Sequence, residues 1–208
     1  MSETTNDFAP LLENEADPNP FGQFERWFTA ALNCGLMLPE AMTLATATRE
    51  GKPSARMVLL KGFDERGFVF YTNYESQKGE ELAVNPRAAL VFYWQPLGRQ
   101  VRIEGTVSKV SRQESEDYFK TRPLDSRLGA WASSQSEVVS GREVLEKRLS
   151  ELEEQYKDGS VPLPPYWGGY RVAPESIEFW QNRAGRLHDR LRYRKGEGDR
   201  WLMERLAP

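Results

Sequence analysis

Residues 100–110 carry an alternation with a period of two. Val101, Ile103, Gly105 and Val107 fall on one face of an extended chain, and Arg102, Glu104, Thr106 and Ser108 on the other. So long an alternation describes a half-buried strand, and a strand needs neighbours. The chain supplies them. Strand-like runs lie at 42–48, 54–62, 68–72 and 88–95, the second and third joined by the turn-prone Asp64-Glu65-Arg66-Gly67. Further strands are expected at 166–172, 176–180, 189–194 and 200–206, with a Gly-rich turn between the last two.

Helices are fewer. Phe21, Phe24, Phe28, Ala31 and Leu32 recur at helical spacing behind Pro20 and before Gly35. A short helix fits 76–84. Ser111 with Glu114, and Ser140 with Glu143, match the capping box, in which a serine oxygen and a glutamate satisfy free N–H groups at a helix start. The second of these helices carries Leu145, Leu149, Leu152 and Tyr156, and Pro162, Pro164 and Pro165 forbid helix beyond it. Many short strands with few helices predict a mainly β, closed or nearly closed antiparallel barrel with peripheral helices. One domain is expected over 21–208. Residues 1–20, acidic and poor in large apolar groups, are expected to form a disordered tail.

The 208 residues carry a net charge of −3, which gives no overall reason to expect a nucleic acid or an anionic membrane as partner. Any phosphate site must be local. One cysteine and one histidine cannot build a Cys/His metal site or an intrachain disulfide, so no metal is expected and a cytoplasmic location fits best. No basic leader with a following apolar run opens the chain, and no apolar stretch is long enough for a membrane helix. Nucleotide-loop, nucleophile-elbow and zincin motifs are absent.

Several cation-bearing stretches remain. Arg56 and Lys61 close the apolar Met57, Val58, Leu59 and Leu60 at either end; they are the solvated ends of a buried strand or two separate anion contacts. At Tyr71 to Lys78 a strand runs through a turn into a helix start, where N–H groups, Ser76 and Lys78 can converge on phosphate oxygens, or simply cap and solvate the helix. Tyr118, Arg122 and Ser126 lie four apart, a phosphate-binding inventory if one helix runs through them, although Pro123 opposes that. On a strand starting near Arg186, the residues Arg186, His188, Arg190, Arg192 and Arg194 share one face, a cationic row that also suits a protected sheet edge.

Taken together, Arg56 to Lys61, Phe70-Tyr-Thr-Asn73, Gly129-Ala-Trp131, Gln135-Ser136, Trp167-Gly-Gly-Tyr170, Ile177-Glu-Phe-Trp180, Arg186-Leu-His-Asp-Arg190 and Arg205-Leu-Ala-Pro208 closely resemble the pyridoxamine 5'-phosphate oxidase family. The resemblance implies an FMN-binding split β-barrel, homodimeric, with flavin at the subunit interface. It implies that Arg56, Met57, Val58, Leu59, Leu60, Lys61, Tyr71, Thr72, Gln77, Lys78, Gln100, Gln135, Ser136, Trp180 and Arg190 hold FMN. Lys61, Tyr118, Arg122 and Ser126 are expected to grip the substrate phosphate, with Arg186, Leu187 and His188 against the pyridine ring and Arg186 and His188 in the catalytic role. The implied reaction passes a hydride from C4' of pyridoxine or pyridoxamine 5'-phosphate to the flavin. O2 is the final acceptor, and the products are pyridoxal 5'-phosphate, hydrogen peroxide and, from the amine, ammonia. The rival readings are a split-barrel flavin oxidase acting on another ring, such as a phenazine precursor, and a non-catalytic FMN-binding module. Gln77 stands where many members of the family carry a basic residue, and the acidic N-terminus lacks the Arg and Tyr with which some members cover substrate.

Overall fold

The computed structural model describes residues 8–208. Among them the helices are α1 (Pro20–Leu32), α2 (Gln77–Val84), α3 (Arg112–Thr121), α4 (Leu124–Ala132) and α5 (Arg142–Gln155). The strands are β1 (Ala41–Ala47), β2 (Pro53–Leu59), β3 (Gly62–Asp64), β4 (Gly67–Asn73), β5 (Arg87–Trp94), β6 (Arg99–Lys109), β7 (Trp167–Gln181), β8 (Asp189–Lys195) and β9 (Trp201–Arg205). All pairings are antiparallel and make one sheet, ordered β2-β1-β5-β6-β7-β4-β3, with β8 added to β7 and β9 to β8.

The two ends of that path, β2 and β3, are consecutive in the chain. At the corner between them the Leu60 N–H donates to Glu40 O on the β1 side (2.9 Å) and the Lys61 N–H donates to Val69 O of β4 (2.8 Å). The sheet therefore curls into a barrel, and the strand expected at 54–62 is divided by this corner. On the far side, the strands expected at 166–172 and 176–180 are one strand of 15 residues, β7. β6 follows one edge of it throughout, while the other edge pairs first with β4 and then with β8. The exchange falls at Pro174, which has no N–H to give a ladder, and the register against β6 slips between Glu104 and Gly105. Gly105 is required at the slip, because a Cβ there would lie 2.0 Å from the Ala173 carbonyl oxygen.

Helix α1 plugs the barrel. Asn19 caps it by accepting the Phe21 N–H (2.9 Å), and its apolar stripe goes inward. The ring of Phe24, fully buried, meets Phe63 and Phe68 at 4.9 Å and Phe92 at 5.2 Å. A second, smaller core of Phe119, Leu128, Val161 and Trp167 holds α3, α4 and α5 against one side of the barrel.

Two local expectations are corrected, and one is met. Residues 8–19 are not a loose tail: Leu11 is buried, its N–H donates to Asp189 Oδ2 (3.1 Å), Glu13 pairs with Arg205 (2.6 Å), and Tyr193 donates to Asp17 O (2.7 Å). Of the acids that suggested disorder, Glu13 is matched by Arg205 of the barrel, and residues 1–7 lie outside the described residues. At Ser111 the serine half of the capping box forms, its Oγ accepting the Glu114 N–H (3.0 Å) while the Glu114 carboxylate goes to Arg171 (2.8 Å), but the box at Ser140 does not form. There α5 is capped by Gly141, which shifts Glu143 one place too early in the helix to reach back. As Pro123 leads one to expect, no single helix carries Tyr118, Arg122 and Ser126: α3 stops at Thr121 because Arg122, preceding Pro123, is held extended.

Candidate active site

A cleft of about 560 Å³ opens between the β2–β3 corner, β4 and the α3–α4 pair. It is bordered by Met57, Val58, Leu59, Lys61, Tyr71, Thr72, Asn73, Lys78, Tyr118, Thr121, Arg122, Ser126, Gly129, Ala130, Ser133, Gln135 and Trp167. Met57, Val58 and Leu59 are consecutive, as residues along a strand's edge are and residues on one face cannot be. This follows from the topology, since β2 pairs on one side only.

At one place in the cleft Lys78 is buried, 7% exposed. Its Nζ donates to Thr72 Oγ1 (3.1 Å), Ser76 Oγ (3.1 Å) and Gln135 Oε1 (3.0 Å), all neutral oxygens. Burial, followed by the neighbouring Arg56 charge, pulls its pKa from 10.5 down to about 8. The turn from β4 into α2 that presents it is tight. A Cβ on Gly79 would lie 2.0 Å from the Tyr74 carbonyl oxygen.

At the other place Tyr118, Arg122 and Ser126 come together although their helix is broken, because the last turn of α3 and the first of α4 both abut the cleft. The Arg122 guanidinium lies 4.7 Å from the Trp167 ring centroid, and its Nη1 is buried without a hydrogen-bond partner. Burial lowers its pKa. Tyr71 stacks on Tyr118 at 3.9 Å, and burial pushes the Tyr71 phenol up to about 12, so it is a donor at neutral pH. None of Lys61, Lys78 and Arg122 is ion-paired among the described residues.

Other expected residues lie just behind the cleft or elsewhere. Leu60 points into the barrel core. Arg56 faces away from the lining and is held by Glu81 (3.4 Å), Ser54 (2.6 Å) and Thr46. Burial of Glu81 opposes its charge, but hydrogen bonds from Ser54, Thr46 and Gln77 and the Arg56 charge outweigh this and hold its pKa at about 2. The Gln77 side chain is spent on Glu81 (2.9 Å), while its backbone N–H donates to Ser136 Oγ (3.3 Å).

Gln100, Trp180, Arg186, Leu187, His188 and Arg190 form a second cluster outside this cleft. Gln100 and Arg190 flank Trp180 on the neighbouring strands, and the His188 ring lies 4.5 Å from Trp180. The strand expected from Arg186 begins only at Asp189, so Arg186 and His188 do not belong to the cationic row. Gly185 and Arg186 both adopt left-handed φ, 65° and 62°, and turn the chain before β8 starts. Ser136, at 77°, is the one other non-glycine residue with positive φ among the described residues. A side chain held there costs about 1–2 kcal/mol, and such strain gathers at functional positions. The remaining row is neutralised: Arg190 pairs with Glu178 (2.7 Å), and Arg192 and Arg194 with Glu204 (2.7 and 2.8 Å).

Sequence reasoning passed over Trp167 and Glu81 as site residues. Trp167 had a signal in the Gly168-Gly169 that follows it, since a Cβ on Gly168 would lie 2.2 Å from the Tyr74 hydroxyl and one on Gly169 2.8 Å from the Tyr71 ring. Glu81 had none beyond its place one turn after Gln77.

Comparison with known proteins covers nearly the whole chain. The family described as pyridoxamine 5'-phosphate oxidase matches residues 28–156, and the pyridoxine 5'-phosphate oxidase C-terminal dimerisation region matches residues 167–208. A pyridoxine/pyridoxamine 5'-phosphate oxidase of Gloeothece citriformis is 63% identical over 198 residues, covering 95% of this chain and 92% of that one. One of Rubrobacter xylanophilus is 61% identical over 200 residues, covering 96% and 92%. Among solved structures, PhzG from Burkholderia lata 383, in complex with tetrahydrophenazine-1-carboxylic acid, superposes with a TM-score of 0.91 at 31% identity, covering 98% of this chain and all of that one. A pyridoxamine 5'-phosphate oxidase-related FMN-binding protein of Nostoc punctiforme shares the fold at a TM-score of 0.71 and 18% identity, covering 89% and 97%. With both of its halves matched and its barrel shared, the chain belongs to the pyridoxamine 5'-phosphate oxidase family.

Proposed function

We propose that this chain is an FMN-dependent oxidase that converts pyridoxine 5'-phosphate and pyridoxamine 5'-phosphate to pyridoxal 5'-phosphate, with O2 as final acceptor, and that it works as a homodimer. The observation that carries the reading is a single cleft bearing three cations without carboxylate partners, Lys61, Lys78 and Arg122. A buried ammonium ringed by neutral oxygens, and a buried guanidinium with an unsatisfied N–H, are each costly unless an anion completes them. Two phosphates, one from a flavin nucleotide and one from the substrate, supply what both places lack.

Lys78, Thr72 and Gln135, with the Met57 to Lys61 corner and Tyr71, hold the FMN. When bound, FMN supplies a two-electron acceptor for the hydride of the substrate C4' carbon, a capacity no side chain has. Lys61, Tyr118, Arg122 and Ser126 take the substrate phosphate, and this remote anchor orients the reacting carbon. Arg56, Gln77 and Ser136 support the Lys78 place from behind. Gln100, Trp180, Arg186, Leu187, His188 and Arg190 lie outside their own chain's cleft, and all but Gln100 lie in the matched dimerisation region. In the homodimer they complete the partner's cleft. A mere flavin store would have no use for a second anion place.

The test is to add pyridoxine 5'-phosphate to the FMN-loaded protein without oxygen. Loss of the flavin's yellow absorbance is expected, and a protein that keeps its colour at saturating substrate refutes the oxidase reading. The superposition with PhzG favours a second reading, oxidation of a phenazine precursor. Bleaching by tetrahydrophenazine-1-carboxylic acid, with none by pyridoxine 5'-phosphate, would select it.

A further inference from the structure

We propose that His188 acts as a neutral hydrogen-bond donor through Nε2 and does not serve as the proton acceptor of the oxidation. The Arg183 backbone N–H donates to His188 Nδ1 at 3.2 Å. A backbone N–H cannot be aimed at a second N–H, so Nδ1 carries its lone pair and the proton of the neutral ring sits on Nε2. An Nε2 that already holds a proton has one to share with a lone pair on the substrate and no site to receive another.

The contact is built into the turn. Gly185 and Arg186, both left-handed, fold the chain back within a few residues, and the Leu187 N–H closes the turn on Ala184 O (3.3 Å). Arg183 is anchored on the other side by Asp189 (3.6 Å) and by the Phe8 carbonyl. The Asp189 carboxylate, next to His188 in the chain, is already taken by the Leu11 N–H (3.1 Å), Arg205 (2.8 Å) and Arg183. The Trp180 ring packs against the imidazole, 4.5 Å between centroids and tilted by 41°. Asp189 and Arg183 are thus positioning residues for His188, and residues 8–13 brace them.

What Nε2 faces rests on the oxidase reading above, but the tautomer does not. The chain has one histidine, so the FMN-loaded protein labelled with 15N-histidine gives a spectrum of His188 alone. In a long-range proton–nitrogen correlation in mildly alkaline buffer, the nitrogen coupled to both ring C–H protons is Nε2, and it should be the protonated, pyrrole-type one. A pyrrole-type Nδ1 overturns the inference whatever the activity. His188→Gln keeps an N–H near Nε2 and should stay within about tenfold of wild type in kcat/KM, whereas His188→Phe should lose on the order of 100-fold or more. Equal losses in two variants that retain FMN would refute a donor role. A proton on Nε2 in a protein that fails to oxidise pyridoxine 5'-phosphate would overturn the oxidase reading alone.

Discussion

Lys78→Met should make the ligand-free protein more stable and the flavin less tightly held. The ammonium is buried among three neutral oxygens, and its pKa falls from 10.5 to about 8, first from burial and then from Arg56. At about 1.4 kcal/mol per unit, that shift opposes folding of the ligand-free chain by up to ~3 kcal/mol at neutral pH. Methionine fills similar space without charge but leaves the Thr72 and Ser76 hydroxyl oxygens short of a donor, while Gln135 keeps the one from Thr72, which returns part of the gain at about 1 kcal/mol. A net gain of about 1–2 kcal/mol corresponds, at roughly 2–4 °C per kcal/mol for a chain of this size, to a Tm higher by about 2–8 °C. The same substitution removes a charge-assisted bond to phosphate worth about 1.5–3 kcal/mol, or roughly 10- to 150-fold in FMN Kd. The pH dependence has a definite sign. Between about 8 and 10.5 the unfolded lysine holds a proton that the folded one has released, so ligand-free wild type gains stability as pH rises through that window. Lys78→Met should lack that rise. Thermal melts of the ligand-free protein across pH, with FMN titration by fluorescence quenching, read both effects. A variant that melts lower than wild type at neutral pH and binds FMN equally well would refute the assignment of Lys78 as an anion seat held at the expense of the fold.

Two further substitutions separate the second anion place from the scaffold. Arg122→Ala removes the guanidinium whose Nη1 has no partner, and steady-state kinetics should show kcat/KM for pyridoxine 5'-phosphate falling about 10- to 150-fold while FMN Kd stays within threefold or so, since one charged hydrogen bond is lost; parallel loss of both would mark structural damage. Phe24→Ala empties the centre of the aromatic plug formed with Phe63, Phe68 and Phe92, and chemical denaturation should show a loss of about 3–5 kcal/mol, whereas a loss below 1 kcal/mol would show that α1 is not part of the cooperative core.

What was legible in the sequence was what depends on near neighbours. The alternation at 100–110 is β6, the helical spacing from Phe21 is α1, and Ser111 caps α3 as its box implies. Errors arose where a local rule met a longer-range demand. Pro174 looked like the end of one strand and the gap before another, yet it marks a change of partner within β7, because β6 carries the ladder along the opposite edge. The i, i+4 spacing of Tyr118, Arg122 and Ser126 gives a common face only on a continuous helix, and Pro123 breaks that helix as expected. They meet because two short helices end and begin at the same wall.

The hardest distinction was between cations that wait for an anion and cations that already have one. By count, the arginines from 186 to 194 made the more conspicuous positive feature, and strand periodicity placed them together. Their partners, Glu178 on β7 and Glu204 on β9, come from other strands, and no window of sequence shows that pairing. Lys61, Lys78 and Arg122 are scattered over three elements and look unremarkable one at a time. They become a site because the β2–β3 corner, the turn into α2 and the break before Pro123 bring them to one cleft and, among the described residues, bring no carboxylate into ion-pair range of them. Unmatched charge in a partly buried place, and not density of charge along the chain, is what marks where a phosphate should sit.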